Sequence, residues 1–353
     1  MKRIIGLVAS LALLTGVLAG CTEKTADNMT SVPEGTPSAA QTSTPEATGE
    51  TDTPEATNEI NAEEAAWPRT IKDALGNQIT LEAKPERVAV MDFGFMETMF
   101  ALGIQPIAST YAERSLYGFG TLQPYAADAQ IEELGEAKAP NLEKLVELAP
   151  DLIFQTAEEE HMDMELYEAI AQIATVVTFD SADWKEQLRA FAECLGEEER
   201  AEAYISDIEV LITESREKLS GYNDKTVALL FERSSDIGNF FVTGSTENPV
   251  WFDKENGLGL TSPDGYPEIG ELISLEGVAA WNPDYIFLFG SLGSEANGYQ
   301  QSYLSEETQS SSVWQSLSAV KNGQVYYLDA AARAAGPLSI KLGIETIVAS
   351  MTE

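Results

Sequence analysis

Arg114, Arg233 and Arg333 each fall just beyond a run that reads as a β-strand, and they are three of only 18 basic residues between Trp67 and Glu353. Guanidinium forks suit the oxygens of an anion, while Tyr111, Tyr117 and Trp251 offer aromatic faces for an organic ligand part. Each has a plainer alternative. A strand-end arginine often serves a surface ion pair, and Trp251 within Pro249-Val250-Trp251-Phe252 also fits helix-packing core.

A second constellation comes from an internal repeat. Asn141-Leu142-Glu143 through Pro150-Asp151-Leu152-Ile153-Phe154 returns 133 residues later as Ser274-Leu275-Glu276 through Pro283-Asp284-Tyr285-Ile286-Phe287, with six of fourteen positions identical. Both copies read as a short amphipathic helix, a proline-marked turn and a buried strand. Each unit places one glutamate, Glu143 or Glu276, in the first turn of its helix, where a solvated dipole partner is also expected.

Other chemistry lacks its residues. The single histidine, His161, sits in an acidic run from Glu158 to Asp163, whereas sites for bare zinc or manganese draw several nitrogen and oxygen ligands to one point. Gly118-Phe119-Gly120 and Gly257-Leu258-Gly259 lack the third glycine of a dinucleotide loop, and no Gly-x-x-x-x-Gly-Lys or Gly-x-Ser-x-Gly run occurs. Nothing in the sequence asks for catalysis or for a cofactor.

The elements that must position these residues alternate between strand and helix. A hairpin is expected over residues 70–81, turning at Gly76-Asn77. Strands follow at 87–91, 106–109, 152–155 and 175–179, with a helix at 95–102, which argues a parallel, helix-covered sheet. Apolar residues Tyr204, Ile205, Ile208, Leu211, Ile212 and Leu219 keep helical spacing over 197–219, a length of roughly 35 Å, enough to join two lobes as a strut. A second set begins at 226–231 and 240–242, continues through a helix near 249–254 and strands 285–289 and 324–328, and ends in a helix over 338–351. In open parallel sheets ligands gather beyond the carboxyl ends of the strands, which is where the three arginines and Tyr111 fall.

The N-terminus sets the compartment. Lys2 and Arg3 precede an apolar run from Ile4 to Leu18, the layout of a secretory signal, and Leu18-Ala19-Gly20-Cys21 resembles a bacterial lipobox, with Cys21 the lipidated residue. The Thr, Pro, Glu, Ala and Ser of 22–66 cannot bury a core and read as a flexible stalk. With Cys21 acylated, Cys194 is left without a disulfide partner. Of 58 acidic and 21 basic residues, the first 66 positions hold 10 and 3; the remainder carries 48 and 18, a net charge of −30 that repels nucleic acid and anionic lipid.

Taken together, the leader, the linker, Thr70-Ile71-Lys72-Asp73-Ala74-Leu75-Gly76, Pro85-Glu86-Arg87-Val88-Ala89-Val90, Leu102-Gly103-Ile104, the two Leu-Glu/Pro-Asp units and Gly336-Pro337-Leu338-Ser339 resemble the substrate-binding lipoproteins of iron-siderophore and cobalamin ABC importers. The resemblance covers residues 67–353 and implies an α/β fold of two Rossmann-like lobes with parallel-rich sheets, joined by one long helix, with the ligand in the cleft between. The expected division is a signal peptide over 1–20, Cys21 and its linker over 21–66, an N-terminal lobe over 67–182, a connecting helical segment over 183–220 and a C-terminal lobe over 221–353. It implies a lipid-anchored monomer on the extracytoplasmic face of the bacterial cell membrane. There the family captures ferric siderophores, for which the strand-end and aromatic residues Tyr111, Arg114, Arg233, Trp251 and Arg333 are the expected contacts here, and by motif position Glu143 and Glu276 are expected to meet arginines of an ABC permease. Cobalamin or heme is the alternative ligand, and an envelope enzyme or interaction protein on the same lobes is the alternative class.

Overall fold

A computed structural model describes residues 67–158, 164–180, 183–233, 235–247, 249–333 and 335–353. The signal-like segment, Cys21, the linker to residue 66 and His161 lie outside the described residues.

The described chain begins with β1 (Arg69–Lys72) paired antiparallel to β2 (Gln78–Leu81), the hairpin that Gly76-Asn77 predicts. Gly76 takes φ 85°, a conformation open to glycine because it lacks a Cβ. Next come β3 (Val88–Val90), β4 (Ala108–Ser109) and β5 (Glu132–Glu133), a small hairpin of β6 (Gly135–Glu136) with β7 (Ala139–Pro140), then β8 (Leu152–Thr156) and β9 (Thr175–Phe179). Five of these form one sheet in the order β5-β4-β3-β8-β9, with every neighbouring pair parallel. Strands β3 and β8 are buried at every position, as a sheet covered by helices on both faces requires.

The covering helices are α1 (Phe95–Ala101), α2 (Ala112–Gly118), α3 (Gln123–Ala126), α4 (Leu142–Leu148), α5 (Met164–Ala171) and α6 (Trp184–Leu195). On one face the rings of Phe95, Phe154, Phe179 and Phe191 pack with centroids 4.3 to 5.9 Å apart. On the other, Ile153 meets Leu145 and Ile170. Asp183 starts α6 by accepting the Lys185 and Glu186 N–H groups, and Gly196 at φ 67° ends it.

Helix α7 (Glu198–Leu219) realises the long periodic segment, and its apolar face is divided between two cores. Ala201 and Ile205 belong to the N-terminal core, whereas Ile208, Ile212 and Leu219 belong to the C-terminal one. Its acidic start is tied to the first hairpin region, Glu198 by Arg69 and Glu197 by Lys84 at 2.9 Å.

The second lobe holds β10 (Val227–Glu232), β11 (Asn239–Val242), β12 (Glu271–Ser274), β13 (Tyr285–Phe289), a hairpin of β14 (Ser291–Leu292) with β15 (Gln301–Ser302), and β16 (Val325–Leu328). Its five-stranded sheet runs β12-β11-β10-β13-β16. The sheet is parallel-rich, as expected: β10, β13 and β16 are parallel, while β11 pairs antiparallel with both β10 and β12. The six residues from Arg233 to Gly238 are too few for a crossover, so β11 can return only as a hairpin partner. Helices α8 (Pro249–Phe252), α9 (Leu275–Trp281), α10 (Glu306–Ser310), α11 (Ser312–Ser316), α12 (Ser318–Lys321) and α13 (Pro337–Thr352) complete the lobe. No helix of the described residues is long and apolar enough to cross a membrane.

The repeated sequence becomes a repeated structure. Asn141 caps α4 through the Lys144 N–H at 3.0 Å, and Ser274 caps α9 through the Gly277 N–H at 3.3 Å. Both helices end in left-handed residues, Ala149 at φ 46° and Asn282 at φ 45°. The shared aspartate then pins the central strand beside it. Asp151 accepts the Glu86 and Arg87 N–H groups just before β3, and Asp284 accepts the Thr226 N–H just before β10. Pro-Asp therefore marks the amino ends of the sheets, away from the carboxyl ends where the cavity lies.

Candidate functional site

A cavity of about 470 Å³ opens between the lobes at the carboxyl ends of the strands. From the N-terminal lobe it is lined by Asp92 and Phe93 after β3, Tyr111 and Arg114 after β4, Phe119 after α2, and Thr156 and Glu158 at the end of β8. From the C-terminal lobe come Gly290, Ser291 and Leu292 after β13, and Ala330 and Arg333 after β16.

The N-terminal wall is aromatic. Phe93 meets Tyr111 edge to face at 6.1 Å and Phe119 at 5.8 Å, and the Arg114 guanidinium lies 5.9 Å from the Tyr111 ring centre. Tyr111 sits at φ 50°, a left-handed conformation that costs a tyrosine energy, where its N–H donates to the Gly135 carbonyl at 2.9 Å. Opposite, the Arg333 guanidinium rests 3.5 Å from the Phe231 ring centre. Removal from water holds its pKa below the usual arginine value, and the charge of Arg233 adds to that effect. Among the described residues Arg114 and Arg333 make no ion pair, although carboxylates greatly outnumber cations in this chain. Asp92 and Glu158 bring negative charge to the same cavity, with Asp92 accepting the Gly94 N–H at 2.8 Å.

Beside the cavity a polar seam joins the lobes. Gln301 donates to the Gly118 carbonyl at 2.8 Å and to Asp329 at 2.7 Å, and Asp329 accepts the Gly120 N–H at 2.9 Å. A Cβ on Gly118 would stand 2.9 Å from Leu292, and one on Gly120 would stand 2.7 Å from the Asp329 carboxylate. Gly118-Phe119-Gly120 is thus a place of close lobe approach. Deeper still, Glu97 is buried on α1 and accepts the Thr121 hydroxyl and the Ser339 N–H of α13. Burial pushes its pKa up to about 7, more than the hydrogen bonds to Thr121 and Ser339 pull it down.

Of the residues expected from sequence, Tyr111, Arg114 and Arg333 line the cavity. Arg233 does not, but its exposed side chain is near enough for its charge to act on Arg333. Tyr117 is half exposed and off the cavity wall. Trp251 requires correction. It is 1% exposed in the C-terminal core, its ring 2.6 Å from where a Cβ on Gly343 would stand, so it has no face for a ligand. Phe93 and Phe119 supply the aromatic surface instead; only the position of Phe93 just after β3 pointed to it in the sequence. Glu143 and Glu276 are exposed at equivalent positions of α4 and α9. Among the described residues no three His, Cys, Asp or Glu side chains are grouped to hold a metal ion.

A family profile described as periplasmic binding protein matches residues 95–332. Among curated proteins of Bacillus subtilis, the iron(3+)-hydroxamate-binding protein FhuD is 28% identical over 295 residues, covering 80% of this chain and 86% of its own. The probable siderophore-binding lipoprotein YfiY is 24% identical over 272 residues, covering 74% and 80%. The crystal structure of the triscatecholate siderophore binding protein FeuA from Bacillus subtilis, complexed with ferri-bacillibactin, superposes with a TM-score of 0.64 at 23% identity. That match covers 80% of this chain and 98% of the other, a likeness of fold.

Proposed function

The chain belongs to the periplasmic binding protein family, and on that premise we propose that it captures a ferric siderophore outside the cytoplasmic membrane and delivers it to an ABC importer permease. The observation that carries the reading is the pair Arg114 and Arg333. They face one cavity from opposite lobes and make no ion pair among the described residues, in a chain of net charge −37. An anionic chelate supplies the missing charge, and its oxygens suit guanidinium forks, while Phe93, Tyr111 and Phe119 cover its organic part. The curated relatives, named as hydroxamate-binding and siderophore-binding proteins, support the same ligand class.

In this reading the intact complex is bound without bond making. A single long helix packed into both cores limits closure to a small rocking motion, and the seam at Gln301 and Asp329 sets the distance of approach. Cys21 carries the lipid anchor, residues 22–66 form the stalk, and Glu143 and Glu276 meet the permease, one from each lobe. Titration of the purified protein with ferric citrate, a ferric catecholate and a ferric hydroxamate, followed by quenching of tryptophan fluorescence, tests the ligand. Binding tighter than millimolar by at least one is expected, and failure of all three overturns the reading.

A further inference from the structure

An apolar row starts from the cavity wall at Arg333. The guanidinium lies over Phe231 on β10, Phe231 stands directly opposite Phe241 on β11, and Phe241 directly opposite Leu272 on β12. Residues directly opposed in antiparallel pairs share a sheet face, so these three side chains form one row. Two interstrand spacings give the row a length of roughly 10 Å beyond the arginine. It becomes more open outward: Phe231 is 8% exposed beneath the guanidinium, Phe241 38% and Leu272 45%. Gly270 leaves room for the ring, since a Cβ there would stand 2.8 Å from the Phe241 Cζ.

Resting on the chelate reading above, we propose that this row is a shelf for the apolar tail or ring of an amphiphilic anionic ligand whose charged head pairs with Arg333. The continuity of the row with the cavity wall argues for such an occupant. A head group bonded to the free edge of the guanidinium leaves its substituents at the start of the row, where an apolar group attached to that head removes the exposed area from water.

Two probes test it. 8-Anilinonaphthalene-1-sulfonate carries the anion and the ring in one molecule and needs no iron. Its fluorescence should rise with the wild-type protein and fall to background with Phe241→Ser or Leu272→Ser, both partly exposed positions, read on variants whose circular dichroism matches that of wild type. Ferric citrate and the ferric complex of citrate octyl monoamide form the second pair. The octyl form should bind about tenfold tighter to wild type, and the ratio should fall to about one in either variant. A silent fluorophore, or an octyl advantage that survives both variants, overturns the shelf. If neither citrate complex binds while the fluorophore follows the variants, the shelf stands and the chelate reading falls. A dimer in sedimentation of wild type that Phe241→Ser dissolves assigns the face to a second copy and also overturns the proposal.

Discussion

The Glu97 carboxylate accepts the Ser339 N–H at 3.1 Å across 242 residues of sequence, so a side chain of the N-terminal lobe caps the last helix of the C-terminal lobe. Helix α13 has no side-chain cap of its own, because Gly336 stands at its N-cap. A side chain there would displace the Glu97 carboxylate, since a Cβ on Gly336 would lie 2.4 Å from it.

Burial of Glu97, which outweighs the opposing pull of its hydrogen bonds, makes stability depend on pH in a defined direction. The folded-state pKa of Glu97, about 7, lies above its ordinary 4.5, so the folded protein holds this proton more tightly than the unfolded chain. The stabilisation is complete below pH 4.5 and is lost as pH rises through about 7, of order 3 kcal/mol in all. Urea melts of wild type and Glu97→Gln at intervals from pH 4.5 to 8 check this. Their difference should favour wild type least at the alkaline end, and parallel curves would show that Glu97 does not titrate in this window.

Trp251 separates core from cleft. Trp251→Ala should cost about 3 to 5 kcal/mol of unfolding free energy by opening a cavity against Gly343, while the folded fraction retains its chelate affinity. Denaturant midpoints and ligand titration at low temperature read the two effects apart; a loss of affinity with unchanged stability would return Trp251 to the site.

The contrast with Arg114 and Arg333 shows what was legible in the sequence. Arg114 and Arg333 could be located because they follow β4 and β16, strands that local apolar and β-prone runs mark, and the carboxyl end of a parallel strand points to the cleft; Arg233, just past β10, shows that this position brings a residue near the cleft without fixing its side chain on the wall. Helix α7 was legible for the same local reason, its apolar period being carried within the segment itself. Trp251 was not, because a four-residue helix has no period to say which side is inward, and the residue that decides it, Gly343, lies on α13. Phe119 was hidden between two glycines whose purpose, close approach to Leu292 and Asp329, exists only once the lobes are packed together. The strands β14 and β15 have two residues each, too short for alternation to register.

For the ligand, Arg114→Gln and Arg333→Gln should each weaken binding of the chelate by about tenfold to a hundredfold, as expected for loss of one charge-assisted hydrogen bond. Arg333→Lys should recover little of it, because an ammonium cannot lie flat on Phe231 and present a fork at once. Equilibrium titrations of the three variants check this, and wild-type affinity in both glutamine variants would remove the arginines from the site.

Glu143 and Glu276 test delivery separately from capture. Both are exposed in the first turns of α4 and α9, and those helices start at the cleft end of their lobes. The Asn141 N–H donates to the Leu134 carbonyl and the Leu134 N–H to Ser109 at the end of β4, while Ser274 pairs with Asn239 near the end of β10. A permease reading both glutamates would therefore lie across the cavity mouth, with one contact on each lobe. Glu143→Lys and Glu276→Lys should each lower iron uptake by cells and the double variant should abolish it, with chelate affinity of the purified proteins unchanged. Because surface charges of this kind contribute little to folding, thermal melts should stay within about 1 kcal/mol of wild type. Uptake by the double variant equal to wild type would leave the repeated glutamates as first-turn charges and nothing more.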